Sequence, residues 1–278
     1  MKLALIQEKQ NALYEFHSDG IAYTRDTALR FQDEMIFQNL ELLRQAACMG
    51  ADIAVTSEAI NYPGVPRLIP GLEPAELVSA RQNFLLSEVA ALARASHMAI
   101  VLGMFRLEDD NNLYNEAVVF ERDGTQAFSY RKNFLAGDEK EYLTPGEGFP
   151  LWETPYGKIG IGICWDMQFP ETSRFYARQG ADLVLCPTWG WETPYAAARA
   201  YENGIYVASA MAVPSYKDIG GLRAPSQFIA PSGAILAEGN RSTPQVVMVD
   251  VDDIRDCAPY RTLRIGDLRA WEARSTPL

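Results

Sequence analysis

The chain has 278 residues, of which 48% are hydrophobic and 22% are charged, so it can bury a sizeable core in one large α/β domain or two small ones. Its formal net charge of −11 argues against nucleic acid or an anionic membrane as a partner, because both bind basic surfaces. Every apolar run is shorter than the roughly 18 residues that span a bilayer, so no membrane segment is predicted.

Taken in chain order, the first half of the sequence predicts strands and helices followed by a hairpin. Residues 3–7 predict a first strand, and not a signal peptide, because no small-residue cleavage site follows them. Helical spacing of apolar residues predicts helices over 27–49 and 74–97, with Pro74 in the first turn of the second. Further strands are predicted at 51–57 and 98–103, and Asp123-Gly124 is expected to join two hairpin strands, at 113–120 and 125–130.

The second half repeats this mixture of strands, helices and a hairpin. Strands are predicted at 159–163, 181–186, 205–210 and 246–251, helices at 171–179 and 194–203, and a hairpin at 226–237. We therefore predict one α/β domain over residues 1–278, a four-layer α-β-β-α sandwich with two mixed sheets packed face to face. The tail, residues 252–278, is charged and weakly patterned, so it is expected to dock on its own subunit or to reach onto a second one.

The cysteines and histidines narrow the chemistry. The four cysteines are widely spaced and form no Cys-x-x-Cys pair: Cys48, Cys164, Cys186 and Cys257. The two histidines, His17 and His97, lie in no recognisable motif, so surface or structural roles are favoured for both. We expect no zinc site, no disulfide framework and no cofactor, and a reducing cytoplasm is the simplest setting. A cysteine nucleophile in this chain would need a carboxylate as its base.

The most informative stretch is a Gly-punctuated, β-branched strand at 159–163 that ends on a single thiol, Cys164. A thiol at the end of a buried strand, just before a helix, can be held rigidly while it faces a cleft. The alternative is that Cys164 is one more small buried hydrophobic residue, as most free cysteines are.

Two charged residues, Glu58 and Lys132, also follow predicted strands. Because sites in α/β sheets collect at the carboxyl ends of strands, both could converge with Cys164 on one pocket. The carboxylate can take the thiol proton, while the ammonium favours the thiolate and can hold a developing oxyanion. The alternative is a strand-end salt bridge or a pair of solvated loop charges.

Several segments resemble motifs of the nitrilase superfamily of carbon–nitrogen hydrolases, and the resemblance covers nearly the whole chain. Residues 56–64 (Thr-Ser-Glu-Ala-Ile-Asn-Tyr-Pro-Gly) resemble its glutamate motif, and 130–132 (Tyr-Arg-Lys) its lysine motif. Residues 164–171 (Cys-Trp-Asp-Met-Gln-Phe-Pro-Glu) closely resemble its cysteine motif, and 199–203 and 231–233 also fit. The family often has a histidine shortly after the lysine, where this chain has Asn-Phe-Leu, so the nearby pocket wall and the subfamily stay open.

The resemblance implies a reaction. Cys164 would be the nucleophile, Glu58 the general base and Lys132 the electrostatic support of the tetrahedral intermediate. The enzyme would cleave a non-peptide carbon–nitrogen bond, in an amide or N-carbamoyl group of a small molecule, through a cysteine-linked acyl-enzyme that releases ammonia or an amine. Nitrile hydrolysis at the same site, a metal-dependent amidohydrolase and a non-catalytic interaction protein that keeps the fold are the alternatives.

The resemblance also implies supporting residues. A second glutamate is expected in the loop at 137–146, with Glu139 the best match and Glu141 the alternative, to orient Lys132 or the attacking water. The backbone N–H of Trp165 would complete the oxyanion hole. Asp166 and Glu171 are expected to hold the shape of the turn and not to react.

The pocket lining is predicted from sequence neighbours of these residues. Trp189 and Trp191 follow the strand at 181–186, so they could pack on the carbon chain of a substrate, or else be core or interface aromatics. Asn61 and Tyr62 lie beside Glu58 and are expected to line the pocket as well. No pair of arginines stands out that would hold an α-carboxylate. The family is usually at least dimeric, so the resemblance also implies a homodimer or higher oligomer, with the 252–278 tail at the interface.

Overall fold

The structure is a computed structural model that describes residues 1–9, 24–64, 69, 71–214 and 221–275, so His17 lies outside the described residues. Within these ranges the strands are β1 (Lys2–Gln7), β2 (Ile53–Val55), β3 (Ala99–Leu107), β4 (Leu113–Phe120), β5 (Gln126–Arg131), β6 (Trp152–Thr154), β7 (Gly157–Ile161), β8 (Leu183–Thr188), β9 (Tyr206–Met211), β10 (Gln227–Ile229), β11 (Ile235–Glu238) and β12 (Gln245–Asp250). The helices are α1 (Arg25–Cys48), α2 (Pro74–Ser79), α3 (Gln82–Ser96), α4 (Pro170–Gln179), α5 (Thr193–Asn203) and α6 (Ala258–Glu272). Three 3₁₀ turns join them at Gly137–Glu141, Cys164–Gln168 and Ile254–Cys257.

The strands form two six-stranded mixed sheets. The first has the order β12-β1-β2-β3-β4-β5, and the second has the order β11-β10-β9-β8-β7-β6. Each sheet contains three adjacent parallel strands, β1-β2-β3 in one and β7-β8-β9 in the other, and antiparallel strands flank them on both sides. The two halves of the chain therefore build one sheet each, except that β12 returns to the first sheet beside β1.

Three hydrophobic clusters fix the order of the layers. Successive side chains of a strand point to opposite faces, so β1 places Leu5 in the cluster between the sheets and Ile6 in the cluster under α1 and α3. The inner cluster also contains Ile161 of the second sheet. A third cluster packs α4 and α5 on the outer face of that sheet, around Val184 and Ala200. The predicted four-layer α-β-β-α sandwich is confirmed.

The segment predicted as one helix over 74–97 is two helices, α2 and α3. The chain leaves helical geometry at Arg81, whose φ is −128° and whose guanidinium donates to Asp33 of α1. Gln82 then anchors the start of α3 to the end of β3, through two hydrogen bonds with the backbone of Leu107 at 2.9 and 2.7 Å. His97 closes α3 in the left-handed conformation, a structural role of the kind predicted for it.

The C-terminal tail forms a helix, α6, that its weak pattern does not predict. The helix docks on α4 and α5 of its own chain and buries Ile265 in the cluster beneath them. An ion pair between Arg178 and Glu272, at 2.7 Å, fastens its far end. A Cβ at Gly204 would lie 2.6 Å from the backbone of the helix, so only glycine permits this approach. No described helix is long and apolar enough to cross a membrane.

Candidate active site

The carboxyl ends of β2, β5 and β7 bring the three predicted residues, Glu58, Lys132 and Cys164, to one cavity. Nζ of Lys132 lies 2.7 Å from Oε1 of Glu58, and Lys132 is only 1% exposed. Cys164, which is partly buried, lines the same cavity. The two charges thus form a salt bridge, but a buried one that faces a thiol, so they are not solvated loop charges.

A second carboxylate completes the surroundings of the Lys132 ammonium. Glu139 lies in the 3₁₀ turn Gly137–Glu141, and its Oε1 accepts from Nζ of Lys132 at 2.9 Å. Its other oxygen accepts from the backbone N–H of Ala136 at 2.7 Å, which fixes the carboxylate in place. Glu141 is exposed, so of the two predicted glutamates the structure brings Glu139 to the site.

Asn115 of β4 ties these groups together and was given no role from the sequence. Its side-chain amide donates to Glu58 at 2.7 Å and to Glu139 at 3.4 Å. Its backbone carbonyl accepts from the N–H of Lys132 at 2.8 Å. One residue therefore orients both carboxylates and the backbone that carries the ammonium. In the sequence, Asn115 follows Tyr114 in a Tyr-Asn pair ahead of the lysine motif at 130–132, and this pair is the signal that could have identified it.

Gly103 of β3 is what lets Glu58 reach this position. A Cβ at Gly103 would lie 2.2 Å from the carbonyl oxygen of Ser57 and 3.1 Å from Cα of Glu58. The N–H of Gly103 donates to the hydroxyl of Thr56 at 2.8 Å, which holds the two chains together. Ala59, which follows Glu58, has a φ of 51°, in the left-handed region that favours glycine. The chain therefore turns sharply just after the Glu58 carboxylate.

Cys164 sits on a sharp turn held by Asp166. Its φ is 45°, an uncommon conformation for a residue with a Cβ, and it opens the 3₁₀ turn Cys164–Gln168. The fully buried Asp166 accepts from the N–H of Ile163 at 2.9 Å, from the N–H of Phe134 at 2.8 Å and from the hydroxyl of Tyr130 at 2.8 Å. These bonds lock the cysteine turn onto the segment that carries Lys132.

The cysteine turn is braced by an arginine and not by the second acidic residue expected to hold it. Glu171, predicted to hold the turn with Asp166, is exposed in the first turn of α4. The buried Arg199 of α5 instead braces the turn, because its guanidinium donates to the carbonyls of Met167 at 3.2 Å and Gln168 at 2.7 Å. Arg199 belongs to the 199–203 segment on which the resemblance partly rests.

Burial and charge set the resting protonation of the site. Burial alone lowers the pKa of Lys132, but the negative charges of Glu58 and Glu139 outweigh it and raise that pKa well above its usual range. Burial, and next the charge of Glu58, raise the pKa of Cys164 to about 12, against the smaller opposite effect of Lys132. Burial likewise raises the pKa of Glu139. The Lys132 ammonium does favour the thiolate, as expected, but burial and the charge of Glu58 outweigh it, so the raised pKa of Cys164 favours the thiol at neutral pH.

Thr188 at the end of β8 is a further contact of the thiol that the sequence did not reveal. Its hydroxyl oxygen accepts from the N–H of Gly190 at 2.9 Å. Its side chain is hydrogen-bonded to Cys164, and this bond lowers the pKa of the thiol, so the hydroxyl stabilises negative charge on sulfur.

The cavity has a volume of about 510 Å³ and two kinds of wall. Its apolar lining comes from Ala59, Phe105, Tyr142, Trp165 and Trp189. Its polar lining away from the three central residues comes from Asp138, Glu139, Gln168, Glu192 and Arg223. Among the described residues that line the cavity, Arg223 is the one arginine, in keeping with the absence of an arginine pair in the sequence, and its guanidinium lies 3.7 Å from the carboxylate of Glu192.

Of the four residues predicted to line the pocket, Trp189 lines it in the structure. Its backbone N–H lies 3.3 Å from Oε2 of Glu58. Trp191 is fully buried in the core and donates to Gln227 at 3.0 Å. Asn61 is also fully buried, with both ends of its amide bonded to the backbone of Phe105 at 2.8 Å.

Tyr62 is buried as well, and its ring stacks on the ring of Phe105 at 4.6 Å between centroids. The prediction that Asn61, Tyr62 and Trp191 line the cavity is therefore corrected. Asn61 and Tyr62 support Phe105 from behind, and Phe105 forms the wall.

Among the described residues, no group of three or more His, Cys, Asp or Glu side chains is arranged to hold a metal ion. Two carboxylates that line the cavity with Cys164, Glu58 and Glu139, both bind the ammonium of Lys132.

Comparison with known proteins identifies relatives over most of the chain. A family model described as carbon–nitrogen hydrolase matches residues 26–259. The chain is 31% identical to the omega-amidase NIT2 of Xenopus tropicalis over 265 residues, which cover 87% of this chain and 94% of that protein. It is 32% identical to the human omega-amidase NIT2 over 254 residues, which cover 84% of this chain and 90% of that protein.

Solved structures of an amidase from Nesterenkonia sp. AN1 have the same fold. A mutant in which acrylamide has added to the active-site cysteine is 28% identical, with a TM-score of 0.73 over 98% of this chain and 99% of that one. A second mutant carries the acetamide moiety of fluoroacetamide on that cysteine, with 28% identity and a TM-score of 0.73 over 97% and 95% of the two chains. The chain described here therefore belongs to the carbon–nitrogen hydrolase family, in the amidase-like part of the nitrilase superfamily.

Proposed function

We propose that the protein hydrolyses the carboxamide group of a small molecule through a thioester on Cys164. The observation that carries the proposal is that Glu58, Lys132 and Cys164 open together onto one cavity, with the ammonium clamped between two carboxylates. The omega-amidase and amidase relatives, which match over most of their length, favour an amide over a nitrile or an N-carbamoyl substrate.

The first step is attack on the amide carbonyl. Because burial raises the pKa of Cys164 to about 12, the thiol does not ionise beforehand, and Glu58 takes its proton as the sulfur attacks. The negative charge that develops on the carbonyl oxygen meets the Lys132 ammonium and the backbone N–H of Trp165. Thr188, whose side chain is hydrogen-bonded to Cys164, helps to stabilise the negative charge that the sulfur carries during the attack.

The second step releases ammonia and hydrolyses the thioester. The protonated Glu58 gives its proton to the departing nitrogen, which leaves as ammonia and leaves the acyl group on Cys164. Water then attacks the thioester while Glu58 takes one of its protons, and the thiol leaves with that proton as the free acid forms. Glu139 and Asn115 keep Lys132 and Glu58 in place through both steps.

Ammonia release from a substrate panel tests the proposal. The panel holds aliphatic amides, ω-amides of dicarboxylic acids, N-carbamoyl amines and nitriles, each assayed with the wild type and with Cys164→Ala. We expect release from the amides by the wild type only, and Glu58→Gln should be nearly as inactive. Turnover of amides by Cys164→Ala, or release only from the nitriles or N-carbamoyl compounds, would contradict the proposal.

We also propose that the protein is a homodimer or a higher homo-oligomer. The support is the outer side of α5 and α6, where large apolar side chains are more than half exposed: Tyr201, Tyr260, Leu263 and Trp271. Light scattering after gel filtration should give at least twice the 31.0 kDa of one chain. Leu263→Asp should reduce that mass to one chain, and a monomeric wild type would contradict the proposal.

A cytoplasmic setting is proposed on the state of the thiols. All four cysteines are free, and Cys48 is exposed, which suits a reducing compartment. Thiol titration of the protein unfolded without reductant, after isolation from its native cells, should therefore find four free thiols per chain. A disulfide in that sample would contradict this setting.

A further inference from the structure

Glu8, directly after β1, is a buried carboxylate outside the predicted set of site residues. It is only 1% exposed, and its two oxygens accept hydrogen bonds from three other elements. One oxygen accepts from the hydroxyl of Ser57, after β2, and from the indole N–H of Trp189, after β8, at 3.4 Å. The other oxygen accepts from the side-chain amide of Asn39 on α1.

These bonds connect Glu8 to the cavity at two points. Ser57 precedes Glu58 in the chain, and Trp189 lines the cavity. Two carboxylates hold Trp189, because Glu58 accepts from its backbone N–H at 3.3 Å and Glu8 accepts from its ring. The orientation of the indole relative to the proposed general base is therefore fixed through Glu8.

A buried carboxylate at this place is unfavourable for stability. Burial raises the pKa of Glu8 to about 7, although its three hydrogen bonds oppose the rise. In the described part of the chain, no lysine or arginine lies within ion-pair distance of it. Its partners Ser57 and Trp189 connect Glu8 to Glu58, which is a second carboxylate and supplies no positive charge. The neighbouring Lys9 is exposed. Perturbed buried groups of this kind cluster at functional sites.

We propose that Glu8 is a positioning residue that fixes the Trp189 indole as a wall of the substrate cavity. Through that wall it sets the preference of the enzyme for acyl groups long enough to reach the indole. The inference rests on the proposed amide hydrolysis, whose chemistry takes place on other residues. The alternative is that Glu8 only ties β1 to α1 and β2, with no effect on which substrate is bound.

Three variants separate these two roles. Glu8→Leu keeps a side chain of similar size and removes every acceptor. Glu8→Gln keeps one acceptor oxygen for Ser57 and Trp189, and its new amide can donate to Oδ1 of Asn39, a buried atom with no hydrogen-bond partner among the described residues. Trp189→Phe keeps an aromatic ring and removes the N–H that Glu8 accepts.

The measurement is KM and kcat for acetamide, butanamide and hexanamide. For Glu8→Leu we expect KM for hexanamide to rise about tenfold, because the indole loses a hydrogen bond to a charged group. The kcat for hexanamide, and both constants for acetamide, should stay within about twofold of the wild type. Glu8→Gln should restore KM for hexanamide to near the wild-type value. It should also raise the melting temperature at pH 8, because it removes a buried charge.

A double-mutant comparison shows whether Glu8 acts through Trp189. Trp189→Phe alone should match Glu8→Leu, and the double variant should be no worse than Trp189→Phe. Asp182→Asn is the control, since Asp182 is a buried carboxylate at the opposite end of β8, paired with Arg261. It should change stability without changing the order of the three amides.

Three results would overturn the proposal. One is an equal loss of activity on all three amides in Glu8→Leu. Another is a double variant whose effect is the product of the single effects. The third is a Glu8→Gln protein that behaves like Glu8→Leu. Failure of the proposed function would look different, because Cys164→Ala would then turn over acetamide while Glu8 is intact.

Discussion

The Nζ atom of Lys132 and Oε1 of Glu58 lie 2.7 Å apart in the interior, and the amide of Asn115 donates to the same oxygen at 2.7 Å. Oε1 is thus occupied by two donors. Oε2, whose partner is the N–H of Trp189 at 3.3 Å, is the oxygen that would exchange protons with Cys164 in the proposed mechanism. In that mechanism one carboxylate has two tasks, to hold the ammonium with one oxygen and to act as base with the other.

Lys132→Met should abolish most activity and weaken the fold. Removal of one donor to the oxyanion costs about 10²–10³ in kcat. It also leaves Glu58 and Glu139 facing each other without a cation, and breaking such a buried pair costs about 3–5 kcal/mol of unfolding free energy. Ammonia release and urea unfolding measure the two effects.

Lys158→Met is the control for this substitution, because Lys158 pairs with Glu153 at the surface. Its unfolding free energy should change by less than about 0.5 kcal/mol. A Lys132→Met enzyme with more than about a tenth of wild-type kcat would contradict the role given to the ammonium.

Gly103→Ala should damage the site through the backbone alone. The new methyl would sit 2.2 Å from the carbonyl of Ser57, so the segment that carries Glu58 must shift. We expect a stability loss of about 1–3 kcal/mol, as for other overpacked cores, and a fall of about 10²-fold in kcat from the displaced base.

Gly266→Ala in α6 is the matched control, because a Cβ there meets nothing within 4 Å. It should stabilise the helix by about 0.5–1 kcal/mol and leave kcat unchanged. Unaltered kinetics in Gly103→Ala would show that the close approach of β3 does not position Glu58.

Asp166→Ala tests which acidic residue supports the cysteine turn. The change leaves the N–H groups of Ile163 and Phe134 and the hydroxyl of Tyr130 without their buried acceptor. We therefore expect the free energy of unfolding to fall by about 3 kcal/mol or more. kcat should fall with it, since the turn no longer holds Cys164 against the lysine segment. Glu171→Ala, at an exposed position, should stay within about 0.5 kcal/mol of the wild type. Equal effects of the two changes on unfolding would contradict this distinction.

The pH dependence of stability gives a thermodynamic test of Glu8. Burial raises its pKa from the ordinary 4.5 to about 7, so the native state binds a proton that the unfolded state has lost between these values. The contribution of Glu8 is therefore favourable below pH 4.5 and is lost as pH rises through 7. At 1.36 kcal/mol per pKa unit the difference is about 3 kcal/mol.

The unfolding free energy of Glu8→Gln should accordingly be close to that of the wild type at pH 4.5 and exceed it by up to about 3 kcal/mol at pH 8. Urea unfolding of both proteins across this range measures the difference. A difference that is constant with pH would mean that Glu8 keeps an ordinary pKa.

Much of the central site could be predicted from sequence because it depends on strand ends. Apolar runs located the strands that end near Glu58, Lys132 and Cys164, and sites in α/β sheets collect at the carboxyl ends of strands. Because β2 and β5 lie in one sheet and β7 in the other, the face-to-face packing of the two sheets brings these ends to one cavity. The motifs then supplied Glu139, which the 3₁₀ turn does place at the ammonium.

The other contacts depend on pairing between distant segments, which local patterns do not encode. Gly103 matters only because β3 lies beside β2, and Asn115 only because β4 and β5 pair in one register. Trp189 and Trp191 are two residues apart, yet the turn after β8 sends one to the cavity and the other to the core. Helix α6 buries little beyond Ile265, so its sequence shows no clear apolar face.

The most direct test of the central claim is to trap the intermediate. The enzyme is mixed with a slowly hydrolysed amide, quenched in acid within one turnover, digested, and examined by mass spectrometry for the acyl group on each of the four cysteines. We expect the acyl mass on Cys164 alone, none on the exposed Cys48, and no turnover by Cys164→Ala. Steady amide turnover with no acyl group on Cys164, or with Cys164→Ala still active, would contradict the mechanism.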